Sequence, residues 1–267
     1  MSQELRITVV VENTAQGIGQ LAEHGVAYWL EWDGHHSLFD AGQGGALKSN
    51  LLRMELRPDR IDTIVLSHGH FDHSGGLADA LERDQPVRVM LHPEALGKKY
   101  ARNRDGTSRE IGVPFPARKA LHKPTVELQT SEEPAEIADG LMTTGKVPLV
   151  NDFEEPSSRF FVDEACSIPD QLPDDQSVFF EANEGTVVLL GCAHSGVINT
   201  LQHVSQLTNE RPIQAVIGGM HLVDASQERI YQTIEGLRRW DLRLLAPAHC
   251  TGMAATVAMW NAFPEIV

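Results

Sequence analysis

The segment Ile61–Gly76 constrains this 267-residue chain more than any other. IDTIVL reads as a buried β-strand, and it runs straight into SHGHFDHSGG, where three histidines and an aspartate share six positions. A strand ending there delivers Ser67 to a sheet edge. Gly69 then allows a sharp turn, so His68 and His70 project as neighbours and Asp72 and His73 follow on the far side. Neutral imidazoles and a carboxylate at such spacing suit Zn, with Mn or Fe(II) also compatible. Two donors directed one way and two the other point to a dinuclear site. The competing reading is a polar loop with incidental histidines, and four ligand-type residues directly after a buried strand weigh against it.

Around that loop the chain alternates short strands and helices. Leu5–Val11, Val26–Trp32 and Ser37–Phe39 read as strands, the last two separated by the turn-forming DGHH. FDAGQGGALKSNLLRMEL leaves a strand through glycines and enters a helix. Helical pattern is expected over Gly76–Glu82, a strand at VRVMLH, and a helix from Pro93. In the second half, Ser177–Glu181 and Thr186–Leu190 form a hairpin around Asn183–Gly185. Helix Gly196–Leu207, strand Ile213–Ile217, amphipathic helix Ser226–Trp240 and strand LRLLAPAH complete the order, with Ile230, Ile234 and Leu237 on one face. Hairpins in each half plus helical crossovers predict an α/β fold of two mixed sheets with helices outside. Lys98–Gln176, rich in Pro, Glu, Asp and Ser, reads as an excursion or a lid within a single domain spanning residues 1–267.

Composition narrows the function classes. Lys and Arg number 22 against 37 Asp and Glu, a formal charge of −15. Such a surface repels phosphate backbones and anionic membranes, so neither nucleic acid nor membrane is the expected partner. A small anionic substrate stays open, because a metal supplies local positive charge. Three cysteines, Cys166, Cys192 and Cys250, are too few and odd for a disulfide framework and fit a reducing, cytoplasmic setting. The N-terminus MSQELRITVVVEN lacks a basic signal-peptide start, and its apolar run is too short to span a bilayer. The oligomeric state leaves no mark in the sequence.

His68-Gly69-His70-Phe71-Asp72-His73 resembles the H-x-H-x-D-H signature of the metallo-β-lactamase superfamily. LFDAG (Leu38–Gly42) is similar to that family's first motif, and LLAPAHC (Leu244–Cys250) to its last strand-end histidine. The resemblance implies a four-layer αββα sandwich. GCAHSGVINT, IGGMHL and AHCTG, together with TTGKVPLVNDFE and PDDQS, resemble more narrowly the dihydropterin-ribofuranosylaminobenzene 5′-phosphate synthase-like branch.

That resemblance implies metal ligands at His68, His70, Asp72, His73 and His249, holding one or two ions. Many superfamily members carry a bridging Asp at the end of the strand matching Thr186–Leu190. Here Gly191-Cys192-Ala193-His194 stands instead, so His194 is the expected third ligand of the first metal, and Cys192 is either a thiolate ligand or, as the favoured reading, a small buried neighbour. Asp40 is expected to orient the histidine loop by hydrogen bonding. His221, after IGG, is read as approaching the substrate or the surroundings of the metal, or else as a structural residue, and Asp72 doubles as the group that orients water. GQGGA lacks the full dinucleotide-binding pattern, and HSG lacks the nucleophile-elbow pattern. His24, His35, His36, His92, His122 and His203 are read as ordinary. The leading function is a metal-dependent hydrolase acting on a small, anionic or phosphorylated substrate. Its rivals are a pterin-condensing transferase and a non-catalytic metal- or ligand-binding module.

Overall fold

A computed structural model of the chain describes residues 5–267. The polar start MSQE, on which the reading of the N-terminus partly rests, lies outside the described residues. Strands β1 (Leu5–Val11), β2 (Ala27–Trp32), β3 (His35–Phe39), β4 (Thr63–Val65) and β5 (Val87–Leu91) come first. β6 (Tyr100–Arg102), β7 (Ser108–Glu110), β8 (Val126–Thr130), β9 (Ala135–Ala138), β10 (Leu141–Thr143) and β11 (Phe160–Phe161) follow. β12 (Val178–Ala182), β13 (Gly185–Leu190), β14 (Ile213–Gly219) and β15 (Leu244–Ala248) close the order. The chain divides into two compact units. One runs up to Glu132 and adds Ser157–Asp174; the other takes Glu133–Pro156 and Asp175–Val267.

In the first unit a six-stranded mixed sheet has the order β1-β2-β3-β4-β5-β8. β1, β2 and β3 are antiparallel; β3, β4, β5 and β8 run parallel, so each step between them needs a crossover. The β2–β3 turn is shorter than DGHH: Asp33 and Gly34 both take positive φ, a two-residue hairpin turn, and His35 already pairs with Trp32. Leu38, Ile64 and Val89 bury against Leu47 and Leu51 of the helix Leu47–Arg53 and against Leu77. Two other expectations are corrected. The helix expected over Gly76–Glu82 is a single short one, Leu77–Ala80, with a separate helical turn Phe71–Ser74 inside the histidine loop, and Pro93–Leu96 is a single 3₁₀ turn. In the latter, His92 Nδ1 accepts the Glu94 N–H, and Gly97 ends the turn in extended backbone. β6 pairs with β7 and β11 in a separate three-stranded sheet.

GQGGA is a closed cradle. The Glu23 carboxylate accepts the backbone N–H groups of Gln43, Gly44, Gly45 and Ala46 at 2.7–3.2 Å. The amides that would otherwise hold an anion are thus satisfied from within the chain.

In the second unit the six-stranded sheet runs β15-β14-β13-β12-β10-β9. β12 and β13 form the expected antiparallel hairpin, while β13, β14 and β15 are parallel. The crossovers are the helices Val197–Leu207 and Gln227–Leu237. Ile230, Ile234 and Leu237 form the buried face of the second helix, whose first turn is capped by Ser226 Oγ accepting the Arg229 N–H. This helix stops at Leu237 rather than Trp240. Parallel pairing places the ends of β13, β14 and β15 side by side: Leu190 lies opposite Gly218, and Gly219 opposite Ala248. The stretch Lys98–Gln176 supplies β8 to the first sheet and β9 and β10 to the second. No helix among the described residues is long and apolar enough to cross a membrane.

Candidate metal-binding residues

In the first unit, β4 leads into the histidine loop, and His68, His70, Asp72 and His73 are all buried. Gly69 is required for a different reason from a sharp turn. A Cβ there would sit 1.9 Å from the Ala95 carbonyl oxygen, so the loop packs backbone against backbone. Asp40, at the end of β3 with φ of 59°, is fully buried and organises the loop. It accepts the Ser67 N–H at 2.7 Å, the Ser67 hydroxyl at 2.7 Å and His73 Nδ1 at 2.6 Å.

These bonds set two tautomers. A carboxylate only accepts, so His73 donates from Nδ1, and in its neutral form the lone pair sits on Nε2. The Ser67 hydroxyl spends its proton on Asp40, so His68 Nδ1, 2.9 Å away, donates to it, and in the neutral form its lone pair likewise sits on Nε2. His68 packs edge-on against His70, with ring centroids 4.5 Å apart. Burial lowers the His70 pKa to about 3, although Asp72 and Asp174 pull the other way. That imidazole is neutral at ordinary pH, the form that binds metal. Asp72 Oδ2 lies 3.2 Å from Nε2 of His24, a residue without motif context that sequence reading passes over.

The loop is anchored from behind by a buried triad. Gly69 N–H donates to Asp174 Oδ2 at 2.8 Å, and Lys99 Nζ donates to Asp174 and Asp170 at 2.8 and 2.9 Å. Burial alone would lower the Lys99 pKa, but the two carboxylates outweigh it and the ammonium is raised above its ordinary value. Lys99 and Asp170 carry no sequence signal, since both lie in the weakly patterned stretch.

In the second unit the donors come from three strand ends. Cys192 and His194 follow β13, His221 follows β14, and His249 and Cys250 follow β15. All but the half-buried His221 are buried. Ala193, His221 and His249 take positive φ, as does Gly196, so these loops turn in the left-handed region. The His194 and His221 rings lie 4.2 Å apart between centroids. Donor atoms of Cys192, His221 and Cys250 all lie within 4.8 Å of one another, a set that could hold a metal ion. Burial alone would raise the Cys250 thiol. The hydrogen bond with Cys192 and the nearness of His249 and His221 outweigh it, leaving the thiol well below its usual range.

The remaining motif residues hold these loops in place. Asp175 Oδ2 accepts the Ser195 N–H at 2.9 Å. Glu154, from VNDFE, accepts the Ile198 and Asn199 N–H groups at 2.9 and 2.8 Å and so caps the helix after GCAHSG, where Gly196 offers no side chain. Asn199 Oδ1 in turn accepts the Val150 and Asn151 N–H groups.

The chain belongs to the metallo-beta-lactamase superfamily, whose profile matches residues 22–232. It has the metallo-beta-lactamase fold. The solved structure of Tm1679, a metal-dependent hydrolase of the beta-lactamase superfamily, superposes with a TM-score of 0.82 at 28% identity, covering 99% of this chain and 94% of that one. Uncharacterized protein MJ0448 of Methanocaldococcus jannaschii is 32% identical over 250 residues, 93% of this chain and 91% of its own length. From the same organism, 7,8-dihydropterin-6-methyl-4-(beta-D-ribofuranosyl)-aminobenzene-5'-phosphate synthase is 26% identical over 258 residues, 91% of this chain and 86% of its own.

Proposed function

We propose that this protein is a metal-dependent hydrolase of a small anionic or phosphorylated molecule, with His68, His70, Asp72, His73, His194 and His249 as its metal ligands. The observation that carries the reading is the Asp40–Ser67 network, which engages Nδ1 of His68 and of His73 and so orients both rings for coordination through Nε2. A satisfied buried network of that kind holds each ring rigidly, as the outer hydrogen-bond partners of metal-ligating histidines do. Neutral imidazoles plus a carboxylate fit Zn, and Mn or Fe(II) as alternatives. When bound, such a metal supplies activated water near neutral pH and a positive charge for an anionic substrate. The chain's own net charge of −15 would otherwise repel that substrate.

Within this reading Asp72 orients the attacking water, His221 approaches the substrate, and Asp40 holds the loop. The partner is a small molecule rather than nucleic acid or membrane, and the cytoplasm is the matching compartment. The test is a screen of Zn- and Mn-reconstituted protein against phosphomonoesters, phosphodiesters, lactones, thioesters and β-lactams. Turnover of one class, lost in His68→Ala and with added chelator, is expected; no turnover of any class counts against hydrolysis.

A second reading is favoured by the synthase relative. There the metal-binding residues would serve condensation of a pterin pyrophosphate with a ribofuranosylaminobenzene phosphate. Incubating both compounds with the reconstituted protein separates the two: a coupled pterin product supports transfer, whereas release of the pterin alcohol without coupling supports hydrolysis.

A further inference from the structure

The second unit holds a cluster of soft donors that the proposed ligand set does not use. Cys192, His221 and Cys250 bring two sulfurs and an imidazole within 4.8 Å of one another, although 58 positions separate the two cysteines. Cys192 Sγ is also within 4.8 Å of a ring nitrogen of His194 and of one of His249, so this sulfur has donor groups from all three strand ends around it. Both thiols are buried, Cys192 3% and Cys250 6% exposed.

Simple packing explains this arrangement poorly. Apolar neighbours would satisfy a buried thiol that served only to fill space. Cys250 Sγ instead accepts the His221 N–H at 3.3 Å and faces the Cys192 carbonyl oxygen at 3.6 Å. Gly219 leaves the room that the sulfur occupies: a Cβ there would lie 2.7 Å from Cys250 Sγ. Three non-glycine residues beside the cluster, Ala193, His221 and His249, keep positive φ, a strained backbone that persists only where the surroundings enforce it.

We infer that Cys192 and Cys250 are thiolate ligands which, with His221, hold a thiophilic divalent cation. This adds a ligand cluster to the proposed set, takes His221 as a ligand rather than a substrate contact, and rests on that reading in one respect, that the protein binds metal at all. Binding is balanced by proton release: each thiol gives one proton to solvent as its sulfur takes the cation, and neutral His221 gives none. Two thiolates favour zinc or cobalt over manganese.

The experiment is cobalt(II) substitution of the reduced, metal-free protein, read by metal content and near-ultraviolet absorption. Bound cobalt with an intense sulfur-to-cobalt band is expected in the wild type. Cys192→Ser and Cys250→Ser should each keep their far-ultraviolet circular dichroism and lose about half of that band, and the double variant all of it. Bound cobalt without the band overturns the thiolate assignment and leaves the metallohydrolase reading standing. No bound cobalt overturns both. The wild-type spectrum decides the matter even where a variant fails to fold.

Discussion

The histidine loop of the first unit and the strand-end loops of the second solve the same problem by opposite means. In the first, four donors lie within six positions, and one buried carboxylate, Asp40, orients two of them, His73 directly and His68 through Ser67. In the second, five donors are spread from Cys192 to Cys250 and are gathered by the parallel register of β13, β14 and β15. The first arrangement depends on a few hydrogen bonds around one carboxylate, the second on the topology of a whole sheet. Damage should therefore show up differently in each. Changes behind the histidine loop should act on stability and on the state of the imidazoles, whereas changes in the second unit should act on how a helix and three strand ends are held.

The largest effect is expected behind the histidine loop. Lys99→Met removes the cation between Asp170 and Asp174 and leaves two buried carboxylates uncompensated. A loss of about 3–5 kcal/mol is expected in urea unfolding at pH 7. A loss below about 1 kcal/mol would show that the triad is not an anchor.

Acid comes next. His70 is held at a pKa of about 3 by burial, against about 6.5 in the unfolded chain. Between those values the unfolded chain takes up a proton that the folded loop refuses. Stability therefore falls as pH drops through about 6.5 towards 3, by about 2 kcal/mol between pH 7 and pH 5. Urea titrations of chelator-treated wild type and His70→Gln at both pH values check this; equal pH dependence in the two proteins would exclude His70 as the source.

The smallest effect belongs to the second unit. Glu154→Ala strips the cap from the helix Val197–Leu207 and should cost about 1–2 kcal/mol. Proton–deuterium exchange should quicken at the Ile198 and Asn199 amides. If those amides keep their protection, the cap is supplied elsewhere.

The same contrast governs what the sequence discloses. The histidine loop is legible because its donors are contiguous and follow a buried strand, and Asp40 is legible through LFDAG. His194, His221 and His249 are visible as strand-end histidines in their motifs. The grouping of Cys250 with Cys192 and His221 is not legible, since nothing local ties residues so far apart until the strand order is known. Lys99 and Asp170 stay hidden for a related reason, since they act across long sequence separations from a stretch with weak periodicity, and Glu154 is visible in TTGKVPLVNDFE while its capping role is not. The strands of the parallel cores are plain in their apolar runs, whereas β9 and β10 are short and only partly buried. The turn at Asp33–Gly34 is shorter than the DGHH composition implies, because strand pairing, not composition, decides where a hairpin ends.

The central proposal is that the histidine loop presents neutral imidazoles to a metal, and elemental analysis tests it most directly. Wild type and a His68→Ala/His70→Ala variant, each reconstituted with zinc or manganese and freed of excess, would be compared for bound metal. The predicted result is metal retained by the wild type and sharply reduced in the variant, with circular dichroism unchanged. A wild type that retains no metal, or a folded variant that retains as much as the wild type, would contradict it.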